Sequence, residues 1–121
     1  MKLEFIADVS DPLVRLYDFD AEGAKLFHAA LRNWLEPGDG VLEVSELKFV
    51  TAVNCTLSLE IGEERGIVAE DEGRFRCELP KKSYVAMLAL IGPFLRESNG
   101  YQWLYDLNSG IEFLFSPKGN W

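Results

Sequence analysis

Apolar and polar residues alternate over much of this chain, which predicts β-strands with one buried face. Runs of this kind predict strands at 3–9, 13–19, 55–61, 67–70 and 74–79. The stretch 41–50 is apolar but irregular around Ser45-Glu46, which predicts a strand with a bulge or a kink. In the second run we expect Leu13, Tyr17 and Phe19 to share the buried face. The turns between the runs are short, and short turns favour hairpins of antiparallel strands.

Two stretches have the spacing of a helix. From Ala21 to Glu36 the apolar residues recur at i, i+3, i+4, i+7 and i+8, which predicts one buried stripe. Asp20 is suited to cap the first turn, and Pro37 ends the helix. The second helix is predicted from Lys81 to Glu97.

The second helix is apolar almost all round, and we therefore expect it to be buried on more than one side. Gly92-Pro93 lies inside this stretch. Because proline removes an intrahelical hydrogen bond and clashes with the preceding turn, we expect a kink or a break there.

The last part of the chain predicts an aromatic hairpin. The odd-numbered positions of 101–107 and 111–115 are apolar and predict a core face, and Asn108-Ser109-Gly110 predicts the turn between them. Leu104 and Leu114 are apolar residues on the opposite face, where we expect water. Together with Trp121 they form the candidate interaction surface that the sequence offers.

These elements predict an α+β fold, with mainly antiparallel strands and two helices that cover a sheet. The length of 121 residues corresponds to one domain, spanning 1–121. An offset of 60 residues aligns possible half-repeats, 1–61 and 62–121, as a tandem ββαββ pattern with four identities. A true duplication and a shared hydrophobic pattern are both open interpretations.

Composition narrows the choice of partner. Twenty acidic and twelve basic residues give a net charge of −8, which repels phosphate backbones, and we therefore expect no nucleic-acid partner. A basic protein or a second copy of the chain is the partner that the sequence favours. Seven acids lie between Glu60 and Glu78; they fit either solvated turns and strand edges or a docking site for a basic partner.

The sequence also predicts a cytoplasmic protein with no membrane contact. Glu4 interrupts the start of the chain where a signal peptide would be apolar, and no run reaches the ~18 apolar residues of a membrane span. We expect Cys55 and Cys77 to be buried free thiols.

The chain carries no recognisable catalytic motif, and we assign no catalytic, cofactor-binding or metal-binding residue. His28 is the only histidine, and it lies between Lys25 and Arg32 on the predicted polar helix face, which is typical of a surface residue. A pair of carboxylates such as Asp18 and Glu78, equivalent under the offset, would allow acid–base chemistry if the fold brought them together.

Three functional hypotheses remain from the sequence. The first is a non-catalytic binding or protein-interaction module, for example an acidic inhibitor or an immunity-type protein for a basic toxin. The second is a small enzyme that uses carboxylates in a cleft between the two halves. The third is a homo-oligomeric structural protein.

Overall fold

Two helices and nine strands form the secondary structure of residues 1–106 and 110–121, the part of the chain that this computed structural model describes. The strands are β1 (Lys2–Ile6), β2 (Leu13–Tyr17), β3 (Val41–Glu43), β4 (Thr51–Ala52), β5 (Thr56–Ile61), β6 (Gly66–Asp71), β7 (Arg74–Leu79), β8 (Gln102–Tyr105) and β9 (Glu112–Ser116). The helices are α1 (Ala21–Leu35) and α2 (Lys81–Ile91). The predicted α+β class is confirmed.

The strands form two mixed sheets. The five-stranded sheet has the order β4-β1-β2-β9-β8, and the four-stranded sheet has the order β3-β5-β7-β6. Of the described pairings, four are antiparallel (β1–β2, β3–β5, β6–β7 and β8–β9) and three are parallel (β1–β4, β2–β9 and β5–β7). Antiparallel pairings therefore outnumber parallel pairings by only one.

The two halves of the chain exchange strands. In the five-stranded sheet, the β1–β2 hairpin of the first half joins β9 and β8 of the second half. In the four-stranded sheet, the β6–β7 hairpin of the second half joins β5 and β3 of the first half. Each junction is a central parallel pair, β2–β9 or β5–β7. The strand order is thus the same in both sheets, while the duplication itself stays a prediction.

Helix α1 follows its sequence signals closely. The Asp20 carboxylate accepts a hydrogen bond from the Gly23 amide at 3.0 Å, and this satisfies one of the free amides of the first turn. The apolar stripe of α1 is buried, and the Phe27 ring lies 5.8 Å from the Phe115 ring of the five-stranded sheet.

Helix α2 ends at Ile91, and a 3-10 segment, Gly92–Leu95, follows it. The expected break at Gly92-Pro93 is confirmed. The expected burial on more than one side is wrong: Tyr84, Met87 and Ile91 are buried, but Val85 is half exposed on another face. The helix covers the core with a single stripe although its other faces also carry apolar side chains.

The buried face of β2 is Val14 and Leu16, which lie opposite Phe113 and Phe115 of β9. The prediction that Tyr17 lies on the core face is wrong. Asp18 adopts a left-handed conformation with φ of 57°, and this changes the phase of the alternation before Phe19 returns to the core.

A further expectation from the sequence concerns the turn of the hairpin near the C-terminus. The predicted turn at Asn108-Ser109-Gly110 lies largely outside the described residues, since the structure does not describe 107–109.

None of the helices in the described ranges is long and apolar enough to cross a membrane.

Candidate functional site

Leu104 and Leu114, which the sequence placed on a water-facing surface, are buried at 5% and 0% exposure. That part of the predicted surface is wrong. A β-bulge between Trp103 and Tyr105 changes the phase of β8, so that Leu104 and Tyr105 are both buried. Trp121 is 46% exposed, as a surface residue should be.

Leu114 is buried because the C-terminal segment, residues 117–121, returns over the outer face of the five-stranded sheet. In register across this face, Leu114 lies between Arg15 of β2 and Trp103 of β8. The Ser116 hydroxyl donates a hydrogen bond to the Asn120 carbonyl at 2.7 Å, and Arg15 donates one to the Gly119 carbonyl. A face that alternation assigns to water is therefore covered by the chain itself.

Arg15 holds this segment in place. Its Nε and Nη2 groups donate to Glu4 Oε1 at 3.0 and 2.6 Å, which balances the charge of the guanidinium. The guanidinium carbon lies 3.8 Å from the centre of the Tyr17 ring and 6.0 Å from the centre of the Trp121 ring. The outer face thus contains a cation packed against aromatic rings.

A short ridge lies at the end of the five-stranded sheet where β2 and β9 begin. It consists of Asp11-Pro12 and Ile111-Glu112, and the Glu112 amide donates to the Pro12 carbonyl at 3.0 Å. The two dipeptides are about one hundred positions apart in sequence and meet because β2 and β9 are parallel. We call this feature the acidic ridge, and it separates two recesses.

The outer recess has a volume of about 260 Å³. It lies between the acidic ridge, the loop before β2 and the C-terminal segment. Its walls combine two indole rings, an apolar floor and two carboxylates; the lining residues are Val9, Ser10, Asp11, Leu13, Trp103, Glu112 and Trp121.

The inner recess has a volume of about 480 Å³ and opens between the edges of the two sheets. Its lining residues are Phe5, Pro12, Asn54, Ala69, Asp71, Glu72, Gly73, Phe75 and Ile111. The centres of the Phe5 and Phe75 rings, one ring from each sheet, are 4.6 Å apart. Ala69 lies opposite Phe75 in register, and its small side chain leaves the recess open.

Asn54 closes one side of the inner recess by extending the edge of the sheet. Its Oδ1 accepts from the Phe5 amide at 2.8 Å, and its Nδ2 donates to the Phe5 carbonyl at 2.9 Å. This paired contact occupies both backbone groups of Phe5. It holds the phenyl ring at the mouth of the recess.

Both recesses have a negative electrostatic character. None of the described residues that line them is a lysine or an arginine. Burial raises the pKa of the Glu112 carboxyl, and the neighbouring Asp11 and Asp106 raise it further. Arg74 Nη1 lies 3.3 Å from Asp71 Oδ2. Because both side chains are largely exposed, water screens this ion pair.

Five of the seven acids from Glu60 to Glu78 fall into two groups, and the other two, Glu63 and Glu64, lie in the turn between β5 and β6. On the outer face of the four-stranded sheet, Arg76 contacts Glu60, Glu70 and Glu78, so much of the charge there is balanced. A hydrogen bond from the Glu63 amide makes the largest contribution to lowering the pKa of the Glu78 carboxyl, and the nearby Arg65 and Arg76 lower it further. The second group, Asp71 and Glu72, lines the inner recess.

The residues considered for catalysis are not brought together. Asp18 lies 3.4 Å from Lys2 beside the five-stranded sheet, whereas Glu78 lies between Arg65 and Arg76 on the four-stranded sheet. The two carboxylates of this proposed pair therefore occupy separate ion pairs.

The two thiols and the histidine are in environments that disfavour reactivity. Cys55 and Cys77 are free and buried, as the sequence predicts. Burial raises the pKa of Cys55 to about 11, helped by Glu4, and raises that of Cys77 to about 12. Burial and then Arg32 lower the pKa of His28. Within the described residues, no three His, Cys, Asp or Glu side chains are grouped as metal ligands would be.

A larger open cleft, of about 640 Å³, lies beside the start of α1. Its lining includes Lys2, Asp18, Asp20 and Lys118, a mixture of both charges. The Asp20 carboxylate accepts a hydrogen bond from the Gly23 amide at this end of the helix, and its negative charge disfavours a second anion there.

No family model, curated protein or solved structure matches this chain. The case for a site therefore depends on the geometry of the two recesses. Sequence reasoning singled out Trp121 but missed Trp103, Asp11 and Glu112 as partners of it. A single arginine inside the apolar run Leu13–Tyr17 is the signal that could have indicated a covered outer face.

Proposed function

We propose that this protein is a non-catalytic binding module that recognises a basic protein partner through its acidic ridge and the two recesses beside it. An acidic inhibitor or an immunity-type protein for a basic toxin is one concrete form of this function, by physical analogy. The observation that carries the proposal is the pairing of apolar walls with carboxylates in both recesses, without a lysine or arginine in either lining.

Such a surface favours a partner segment that carries cationic and apolar side chains together. Aromatic or aliphatic groups would contact Phe5 and Phe75 in the inner recess, while cations would face Asp71, Glu72 and the ridge. The apolar contacts contribute affinity. Asp71 is paired with Arg74, whereas Asp11 and Glu112 of the ridge have no ion-pair partner among the described residues, and their charge attracts and orients a basic partner.

Binding is better supported than catalysis by the same residues. The buried thiols are held in the protonated form, and Asp18 and Glu78 are occupied by separate cations. Three of the four carboxylates that line the recesses, Asp11, Asp71 and Glu72, are exposed, which is a poor environment for a general acid or base that needs desolvation.

The test is titration of the protein with two soluble peptides of equal charge. One peptide alternates lysine with phenylalanine, and the other alternates lysine with serine. If the recesses accept apolar groups beside cations, the first peptide should bind about tenfold more tightly by calorimetry at physiological salt.

A pair of charge-matched variants separates the site from the overall charge. The site variant carries Asp71→Asn and Glu112→Gln, one change in each recess. The control carries Glu36→Gln and Asp39→Asn, two exposed acids at the end of α1. Affinity for the lysine–phenylalanine peptide should fall only in the site variant. Equal losses in both variants, or equal affinities for the two peptides, would reject the proposal.

A further inference from the structure

We infer that the outer recess is a binding site for one cationic side chain, a lysine or an arginine, of the partner. This inference rests on the proposed function and assigns a specific group to one of the two recesses.

Four separate segments supply the walls. On the outer face, Leu13 of β2 lies directly opposite Glu112 of β9. Trp103 of β8 lies opposite Leu114, the next residue of β9 on the same face. The loop before β2 contributes Asp11, and the C-terminal segment contributes Trp121. Two indole rings and two carboxylates therefore line one small space.

This combination favours an organic cation. The face of an indole ring carries negative electrostatic potential and attracts ammonium and guanidinium groups, and a carboxylate strengthens that attraction. Neither Asp11 nor Glu112 has an ion-pair partner among the described residues, whereas Glu4 and Glu60 do. The charge of this recess is thus left for a ligand.

The same face already holds a cation against aromatic rings. The Arg15 guanidinium packs on Tyr17, and it lies at a longer distance from Trp121. Its charge is balanced by Glu4 on the far side from β9. Arg15 therefore shows the kind of contact expected in the recess without neutralising Asp11 or Glu112.

The size and composition of the recess favour a single side chain. A volume of about 260 Å³ is below the range of about 300–1,000 Å³ that is usual for drug-sized ligands. A bound metal ion would need more ligands than these two carboxylates, and no three His, Cys, Asp or Glu side chains are grouped within the described residues. A single side chain of a protein partner is small enough for this volume and does not need the ligand set of a metal ion.

The experiment uses the whole chain and three small probes: Nα-acetyl-lysine amide, Nα-acetyl-arginine amide and the uncharged Nα-acetyl-norleucine amide. Nuclear magnetic resonance would follow the three indole N–H signals during each titration. Trp103 and Trp121 line the recess, whereas Trp34 belongs to α1 and serves as an internal reference. A saturable shift of the first two signals is expected with a cationic probe, at least about tenfold tighter than with norleucine amide.

Two variants then test the assignment. Glu112→Gln keeps the shape of the recess and should weaken the cationic probe by about fivefold or more, while Glu36→Gln, an exposed acid at the end of α1, should leave its affinity unchanged. An unaltered unfolding midpoint would show that Glu112→Gln is folded, and Trp121→Ala provides a second variant that should weaken the cationic probe.

Three results would overturn the inference: no saturable shift with either cationic probe, equal affinity for norleucine amide, or equal effects of Glu112→Gln and Glu36→Gln. If the probes fail while the lysine–phenylalanine peptide still binds, the outer recess is not a cation site but the proposed function stands. If both fail, both proposals are rejected.

Discussion

Tyr84 and Tyr105 are both buried, but their hydroxyl groups differ in hydrogen bonding. The Tyr84 hydroxyl lies 2.8 Å from the Glu60 carbonyl and 2.9 Å from the Cys77 carbonyl. The Tyr105 hydroxyl is buried without a hydrogen-bond partner among the described residues. Burial raises the pKa of both groups, so each remains protonated at neutral pH. The contrast makes the two residues a matched pair.

We predict that Tyr84→Phe destabilises the protein by about 1–3 kcal/mol, because it removes the hydroxyl that donates a hydrogen bond to a backbone carbonyl of the four-stranded sheet beneath α2. Tyr105→Phe removes a hydroxyl that has no partner among the described residues and should be neutral or slightly stabilising. Urea unfolding of both variants measures the difference. Similar losses of unfolding free energy in both variants would contradict the hydrogen-bond assignment.

The C-terminal segment is the element that converts an ordinary sheet face into a recess wall. Gly119 makes its return possible, since this residue has φ of 79° and its carbonyl accepts from Arg15. A Cβ atom at this position would lie 2.8 Å from Arg15 Nη1 and 3.1 Å from Tyr17 Cδ2. Both backbone conformation and close contact therefore favour glycine here.

We predict that Gly119→Ala costs about 2 kcal/mol, of which about half comes from the positive φ. Gly100→Ala is the matched control, because Gly100 has φ of 81° and open space around it, and it should cost only about 1 kcal/mol. Urea unfolding compares the two variants, and Trp121 fluorescence should also change only in Gly119→Ala. Equal effects at the two glycines would show that the contact with Arg15 does not matter.

Element boundaries were predictable where a local residue sets them. Asp20 and Pro37 define the ends of α1, and Gly92-Pro93 ends α2, because capping and proline geometry act within a few residues. The phases of β2 and β8 were not predictable. One left-handed residue, Asp18, and one β-bulge next to Trp103 change which side chains face the core.

The candidate site was less accessible to sequence reasoning than the fold. Alternation reports whether a strand face is apolar, but it does not report that a distant segment covers that face, as residues 117–121 cover Leu114. The acidic ridge likewise depends on the parallel pairing of β2 with β9. Nothing local to Asp11 or Glu112 indicates that their segments meet.

At the scale of the whole molecule, the strand exchange between the two halves also creates the recesses. The outer recess forms where β2 of the first half meets β9 of the second half, and the inner recess forms between Phe5 and Phe75, again one from each half. Folding and the proposed binding site therefore depend on the same junctions. Separating the halves tests this dependence.

We predict that fragments 1–63 and 64–121, cut in the exposed turn between β5 and β6, do not fold alone but form the native structure when mixed. Each fragment alone lacks one strand of both central parallel pairs, β2–β9 and β5–β7, so neither sheet can form with its native partners. Circular dichroism and a cooperative thermal transition of the equimolar mixture, compared with each fragment at the same concentration, provide the measurement. Because the strand order is the same in both sheets, a fragment that folds by pairing with a second copy of itself would contradict the prediction. It would instead show that one half carries all the information for the exchanged architecture.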